Sequence, residues 1–448
     1  MKPLTESLSP QQVLVLGFAG VIALGAYLLT LPITSATGEG LAPVDALFTA
    51  TSAVCVTGLV VVDTGTHFSS IGKGIILVLI QVGGLGFMTF STLFALLMGR
   101  KITFRERLLL QEAMNKVSPD GVVRLVKYVT VVTLVLEGAG ALLLFLYWLP
   151  RFGWPKSLYY GVFHAVSAFN NAGFDLMGQE FGPFSSLTAF TEDAAVTVIV
   201  SLLVILGGLG FAVIADLYRQ PLHSRYTLHT RMVLTTTAIL IAAATVLFFL
   251  LERSNPSTLQ PLSFPGKVLA SYFQAITPRT AGFNTIDIAD LRPATQFLEI
   301  VLMFIGASPG STGGGIKTTT FAALALAVGA VLSGNDDISI RDRRLPGFIV
   351  AKAMAIAVLA MALVVTVTMI LSITEKADFL TVLFESTSAF GTVGLSMGLT
   401  PSLSLVGKIV ISFTMFSGRL GPVTLALALA QRRRQATLHF PEEKILVG

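Results

Sequence analysis

One pattern of side chains occurs four times along the chain, and it limits the possible folds more than any other feature of the sequence. Each copy has a phenylalanine, a hydroxyl side chain about one helical turn later and then a glycine. The copies contain Phe48, Ser52 and Gly58; Phe163, Ser167 and Gly173; Phe273, Thr277 and Gly282; and Phe384, Ser388 and Gly394. Repetition at a period of about 110 residues indicates four copies of one structural unit.

Each copy lies between two long apolar stretches. The stretches cover residues 13–33, 74–98, 128–149, 195–215, 232–251, 295–332, 348–373 and 403–430. Each is long enough for the roughly 20 residues that a helix needs to cross a bilayer. With 53% hydrophobic and only 12% charged residues, the chain is predicted to be an all-α integral membrane protein with eight spanning helices.

Lysine and arginine concentrate between the repeats and after the last one, which places these segments in the cytoplasm. Every repeat then starts and ends on the same side, so the four repeats are parallel. The predicted cytoplasmic segments are 1–12, 100–123, 217–230, 334–347 and 432–448, and the predicted repeats are 13–99, 124–216, 231–333 and 348–431.

Four parallel repeats around one axis predict a central pore. The segment between the two spans of each repeat is too weakly apolar to cross, so we expect four re-entrant pore helices followed by extended loops. Glycine accepts φ values that other residues avoid, and a ring of backbone carbonyls can replace the hydration shell of a monovalent cation. Asp63, Asp175 and Asp287 follow the glycines and could concentrate cations at the mouth. Solvated loop carboxylates remain the alternative for these acids.

The sequences "VTGL", "NNAGF", "RTAGFN" and "TVGLS" around the four glycines resemble the pore loops of the Trk/Ktr/HKT superfamily of potassium transporters. The chain most resembles the pore subunits of the bacterial Ktr branch. This resemblance implies K⁺ uptake across the bacterial cell membrane, with K⁺ bound at Gly58, Gly173, Gly282 and Gly394. The implied selectivity filter consists of Val56, Thr57, Gly58, Asn171, Ala172, Gly173, Thr280, Ala281, Gly282, Thr392, Val393 and Gly394.

The same resemblance implies a multi-pass homodimer in membrane lipid, regulated by a cytosolic ring that controls conductance and binds ATP or ADP. We expect no nucleic-acid partner and no organic cofactor on this chain. The resemblance leaves open whether Na⁺ is a coupled ion or only an activator.

Residues 306–320 read "GASPGSTGGGIKTTT" and look at first like a phosphate-binding loop. Ile316 separates Gly315 from Lys317, and an apolar stretch precedes the run, so the match fails. Proline and closely spaced glycines predict instead a break in the span, which at this position of the family is a gating loop. The predicted gate comprises Gly306, Ser308, Pro309, Gly310, Ser311, Thr312, Gly313, Gly314, Gly315, Lys317 and Arg419. A passive kink is the alternative. The glycines of "QVGGLGF" (81–87) and "ILGGLGF" (205–211) are interpreted as helix-packing positions.

Charged residues within spans are functional candidates because they are costly to bury. The resemblance implies that Arg419 is a barrier beside the gating loop, while an ion pair with Glu137 or Glu299 is the alternative. Arg279 is expected to support the filter by donating to loop carbonyls, with Glu385 as a candidate partner.

Other functional classes find less support. The five histidines lack metal-ligand spacing, and the single cysteine, Cys55, excludes a disulfide framework. No nucleophile has a paired base at suggestive spacing, so we do not expect an enzyme. A Na⁺-permeable relative and a Na⁺- or H⁺-coupled transporter remain the alternatives.

Overall fold

The computed structural model describes residues 9–86, 122–220, 226–335, 338–340 and 343–429, together with residues 89, 90, 92, 93, 96 and 98. Most of the predicted connection 100–123 and the predicted tail 432–448 lie outside these residues. The described part is helical apart from one antiparallel pair of two-residue strands, β1 (Ser339–Ile340) and β2 (Arg343–Arg344), in the connection before repeat 4. The predicted all-α membrane architecture is confirmed.

All four repeats contain a long first helix, a shorter second helix and a second apolar segment in that order, and repeats 1 and 2 add a four-residue helix after the second helix. Repeat 1 contains α1 (Pro10–Leu29), α2 (Pro43–Val54), α3 (Thr64–His67) and α4 (Ser70–Leu85). Repeat 2 contains α5 (Val122–Phe152), α6 (Trp154–Phe169), α7 (Gly178–Phe181), α8 (Ala194–Leu209) and α9 (Phe211–Arg219). Repeat 3 contains α10 (Leu228–Glu252), α11 (Phe264–Ile276), α12 (Pro293–Phe304) and α13 (Thr318–Leu332). Repeat 4 contains α14 (Gly347–Thr374), α15 (Phe379–Gly391), α16 (Leu405–Leu420) and α17 (Pro422–Leu429).

The first helix of each repeat, α1, α5, α10 or α14, is long and apolar enough to span a membrane alone. The shorter helices α2, α6, α11 and α15 are the pore helices. Prolines at the first turn start α2, α6 and α11, where the missing N–H costs no hydrogen bond.

The second span of each repeat is broken, which differs from the unbroken stretches that hydropathy predicts. α8 and α9 meet at an angle of 98° at Gly210, α12 and α13 are separated by residues 305–317, and α16 and α17 meet at Gly421. Gly86, Gly210 and Gly421 have φ values of 83°, 92° and 84°, which a right-handed helix cannot contain. The second spans of repeats 1, 2 and 4 therefore each turn at a left-handed glycine.

The ring of repeats closes between the last and the first. α16 packs against the pore helix α2, and Lys408 Nζ lies 2.5 Å from Asp45 Oδ1. This ion pair joins residues at opposite ends of the chain, so the four repeats surround one axis.

Candidate ion-conduction site

The backbone leaves each pore helix through the same pair of left-handed positions. The first position is Val56, Asn171, Thr280 or Thr392, with φ values of 50°, 56°, 67° and 49°. The second is Gly58, Gly173, Gly282 or Gly394, with φ values of 92°, 69°, 77° and 93°. Such values are uncommon outside glycine and persist where the surrounding structure enforces them. Residues 56–58, 171–173, 280–282 and 392–394, called the candidate filter below, thus share one conformation.

The four glycines face one another around the axis. A Cβ added to any of them would lie within 3.0 Å of the carbonyl oxygen before the next glycine in the ring. These oxygens belong, in ring order, to Ala172, Ala281, Val393 and Thr57. A side chain at any of the glycines would fill the axis, and the carbonyls approach it from all four repeats.

The hydroxyl residue of the sequence pattern holds the loop onto its pore helix. The backbone carbonyl of Ser52 accepts from Thr57 N at 2.8 Å, and the Ser52 hydroxyl accepts from Gly58 N at 3.1 Å. The equivalent backbone bonds join Ala172 to Ser167 at 2.8 Å and Val393 to Ser388 at 2.9 Å. The conformation is therefore built into each pore helix.

The segment between α12 and α13, residues 305–317, lies directly against the candidate filter and is called the intramembrane loop below. The Thr312 hydroxyl donates to Asn171 Oδ1 at 2.7 Å. A Cβ on Gly313 would collide with the Thr280 hydroxyl, and one on Gly314 would collide with the Thr392 hydroxyl. The loop thus contacts the first left-handed position of repeats 2, 3 and 4.

The tip of the intramembrane loop is fastened to the broken span of repeat 2. Ser308 N donates to the Gly208 carbonyl at 3.0 Å, and Phe211 N donates to the Gly310 carbonyl at 3.1 Å. Gly210 has no room for a side chain, because a Cβ there would lie 2.6 Å from the Pro309 carbonyl oxygen. The bend at Gly210 and the loop tip therefore fit together.

Two basic side chains hold the loop from the other side. The Arg419 guanidinium donates to the carbonyls of Thr312 and Gly83 and, at 3.3 Å, to that of Gly84. Lys317 Nζ donates to the carbonyl of Gly313 at 2.7 Å. Arg419 therefore joins the intramembrane loop of repeat 3 to the second span of repeat 1.

Neither carboxylate considered as a partner for Arg419 takes that role. Glu137 accepts from Gln81 Nε2 at 3.2 Å and from Asn170 Nδ2 at 2.7 Å. Glu299 is fully buried, and neither of its oxygens has a hydrogen-bond partner among the described residues. The Arg419 guanidinium is bound by backbone carbonyls, so the alternative of an ion pair with Glu137 or Glu299 is not observed, and Arg419 forms a bridge to the loop.

Arg279 and Glu385 do not pair as the sequence suggested. The Arg279 guanidinium donates to the Thr237 hydroxyl of α10 at 3.2 Å, away from the candidate filter. Glu385 instead accepts from the hydroxyls of Ser396, at 2.8 Å, and Thr400. The carbonyls of the candidate filter face the axis. A cationic side chain placed on the axis to donate to these carbonyls would repel a permeating cation.

The acidic residues beyond the glycines differ from one another. Asp63 accepts from Thr66 N at 2.7 Å and caps α3, and Asp287 accepts from Ala289 N at 3.0 Å. Asp175 is half-buried outside the spanning helices, where burial and the nearby Asp63 raise its pKa to about 7. The charge at this part of the mouth therefore changes near neutral pH.

The sequence interpretation missed the helix breaks of repeats 1, 2 and 4. Gly83 and Gly207 are close-packing positions, as expected, because a Cβ on either would collide with a pore-helix carbonyl. Gly86 and Gly210, three residues after these glycines, end the helices. The spacing of three residues between two glycines could have revealed the breaks, since Gly418 and Gly421 repeat this spacing in the last span.

Comparison with known proteins agrees with this architecture. A family model described as TrkH, a cation transport protein, matches residues 21–438. The Ktr system potassium uptake protein B of Bacillus subtilis is 44% identical, over 98% of this chain and 97% of the relative. The potassium/sodium uptake protein NtpJ of Enterococcus hirae is 40% identical, over 100% of this chain and 99% of the relative.

A similar fold occurs in the crystal structure of the potassium transporter TrkH from Vibrio parahaemolyticus. The TM-score is 0.76 at 18% sequence identity, and the match covers 96% of this chain and 87% of that one.

Proposed function

This chain belongs to the TrkH family of cation transport proteins, and from that membership we propose that it takes up K⁺ through the ring of four filter glycines. The observation that carries the proposal is the closure of four left-handed loops around one axis. A homologue of this family is named as a potassium uptake protein.

The ring offers K⁺ a set of oxygen ligands. The carbonyls of Thr57, Ala172, Ala281 and Val393 approach the axis from four sides and replace water around the ion. The C-terminal ends of the pore helices add partial negative charge towards the same point. Each repeat contributes only one glycine, so we expect one good site and modest selectivity.

The intramembrane loop is the proposed gate. It contacts three of the four filter segments and is bound by Arg419 and Lys317, whose charges oppose a cation. Opening requires the bond between Thr312 and Asn171 and the bridge from Arg419 to break. The described arrangement is therefore the closed state of the proposed gate.

A homodimer with a cytosolic nucleotide-binding ring is proposed from the family resemblance. Support from this chain is limited to the link between the loop tip and the bend before α9, through which a cytoplasmic partner could act on the gate. Native mass measurement of the purified protein in lipid should give two chains per particle, and single chains would contradict the dimer.

Transport of Na⁺ is the second candidate, because one relative is named as a potassium/sodium uptake protein. A single ring of carbonyls also discriminates less than a longer series of sites would. The two candidates differ in the role of Na⁺, which either permeates the pore, is transported together with K⁺ or only activates K⁺ uptake.

Flux into liposomes tests both candidates. The purified chain should carry K⁺ in preference to Na⁺, and deletion of residues 310–315 should raise the K⁺ flux. Equal K⁺ and Na⁺ fluxes would favour the second candidate. A deletion variant that folds but conducts as the wild type does would reduce the loop to a structural kink.

A further inference from the structure

The residue after the pore-helix phenylalanine is polar in all four repeats. These residues are Thr49, His164, Gln274 and Glu385, and none is more than 1% exposed. A buried polar group without a partner is costly. A polar residue at this position is therefore expected to make a hydrogen bond that an aliphatic residue could not make.

In repeats 2 and 4 this residue holds the chain that leaves the filter. His164 Nε2 lies 3.3 Å from Leu176 N, and Nδ1 lies 2.8 Å from the Tyr160 carbonyl. These two contacts require a neutral ring with its proton on Nδ1, because Nε2 must accept. Glu385 accepts from the Ser396 hydroxyl at 2.8 Å. Both side chains tie the exit segment of the filter to its own pore helix.

In repeats 1 and 3 the equivalent residue makes no such bond. Within the part of the chain that the structure describes, the Thr49 hydroxyl and both amide atoms of Gln274 have no hydrogen-bond partner. A connection from this position is therefore confined to alternate repeats. In repeats 1 and 3 the hydroxyl of the sequence pattern makes the inner bond instead: Ser52 accepts from Gly58 N, and Thr277 donates to the Phe283 carbonyl.

The exit segments of repeats 1 and 3 are held from outside by residues 184–191 of repeat 2. Phe184 N donates to Asp63 Oδ1 at 2.9 Å, and the Thr191 hydroxyl donates to the Thr285 carbonyl at 2.6 Å. Phe184 and Ser186 have φ values of 61° and 45°, a strained backbone that these contacts enforce.

We propose that His164 and Glu385 are positioning residues that determine ion selectivity by fixing one diagonal of the filter. In the ring, repeat 2 faces repeat 4 across the axis, so these two side chains hold opposite filter segments. Residues 184–191, together with the Ser52 and Thr277 hydroxyls, hold the other diagonal. The proposal rests on the filter assignment made above.

Losing an inner connection frees one exit segment while leaving the axial glycines intact. The ring can then contract along that diagonal, which lets its oxygens fit the smaller Na⁺ better. Selectivity should fall before transport itself is lost.

The test compares K⁺/Na⁺ permeability ratios in liposomes for four matched variants. His164→Leu and Glu385→Leu remove the connection, whereas Thr49→Val and Gln274→Leu remove polar atoms that have no partner at the same position. We expect the first two to lower the ratio about three- to tenfold, the effect of one hydrogen bond, and the last two to leave it unchanged. His164→Gln, which retains an acceptor, should restore part of the ratio.

A purely structural role would reduce the amount of folded protein in all four variants without changing the ratio. Unchanged ratios in folded His164→Leu and Glu385→Leu would overturn the proposal. If His164→Leu does not fold, two other variants decide the question. Glu385→Leu tests the diagonal of repeats 2 and 4, and Thr191→Val, which removes an outer contact, tests the diagonal of repeats 1 and 3. Gly394→Ala, measured alongside, separates this proposal from the filter assignment. If Gly394→Ala lowers the permeability ratio and the His164 and Glu385 variants do not, only this proposal is overturned. If none of these variants changes the ratio, the filter assignment is overturned as well.

Discussion

Thr312 and Asn171 join the intramembrane loop of repeat 3 to the filter segment of repeat 2 by a hydrogen bond of 2.7 Å. Both side chains are fully buried, and Asn171 has a left-handed backbone directly before the filter exit. The proposed gate is thus bonded to the proposed filter, so a change in one can be detected through the other.

Thr312→Val should make the gate easier to open. The substitution keeps the shape of the side chain and removes the hydroxyl that donates to Asn171 Oδ1 at 2.7 Å and to the Phe169 carbonyl at 3.2 Å in the closed state, so K⁺ flux should rise about two- to tenfold. Thr366→Val is the control, because the Thr366 hydroxyl bonds only to the Ala362 carbonyl of its own helix α14. Flux that rises equally in both variants, or in neither, would contradict the role of this bond.

Gly394→Ala should lower the K⁺/Na⁺ permeability ratio and the total flux. The added methyl group would project onto the axis, within contact of the Gly58 and Gly282 backbone, at a φ of 93° that alanine rarely adopts. Gly20→Ala in α1 is the matched control, since no atom lies within 4 Å of its added methyl group. A folded Gly394→Ala protein with wild-type selectivity would refute the filter assignment.

Arg419→Gln should raise K⁺ flux more than Arg419→Lys does. Glutamine removes the charge and most of the donors that bind the Thr312, Gly83 and Gly84 carbonyls, whereas lysine retains the charge. K⁺ flux, measured at equal amounts of folded protein, should therefore be highest for Arg419→Gln, intermediate for Arg419→Lys and lowest for the wild type. The reverse order would mean that Arg419 supports the open path.

The sequence predicted those parts of the site that repetition or strong local chemistry encodes. The four proposed filter glycines were selected because the same pattern surrounds each one, and their role stays a prediction; Pro309 with its neighbouring glycines indicated the broken span of repeat 3. The bend at Gly210 was missed, since a glycine in "GGLG" taken alone is equally compatible with close helix packing, and only the spacing shared with Gly83 and Gly86 and with Gly418 and Gly421 distinguishes it.

Tertiary partners of buried polar residues were also beyond the sequence. Arg279 follows the pore helix α11 and Glu385 lies on the pore helix α15, yet the first bonds to α10 and the second to its own exit segment. Their directions depend on how the repeats rotate against one another, which hydropathy does not specify. The sequence therefore marked these charged residues as functional candidates but did not predict which residues they contact.

Asp175 should make K⁺ uptake depend on pH. Burial and the neighbouring Asp63 raise the Asp175 pKa to about 7, so the carboxyl is mostly neutral at pH 6 and mostly charged at pH 8. The negative form attracts cations to the mouth, and uptake at subsaturating K⁺ should increase about two- to fivefold across this range, the effect of one nearby unit charge in a largely aqueous site. Asp175→Asn should abolish the increase and remain near the acidic value. Asp287→Asn is the matched control and should retain the increase, because Asp287 accepts from Ala289 N as Asp175 accepts from Met177 N but lies in another repeat. Rates of K⁺ uptake measured from pH 6 to pH 8 at one ionic strength decide the matter: a pH profile that survives in Asp175→Asn assigns the titration to another group.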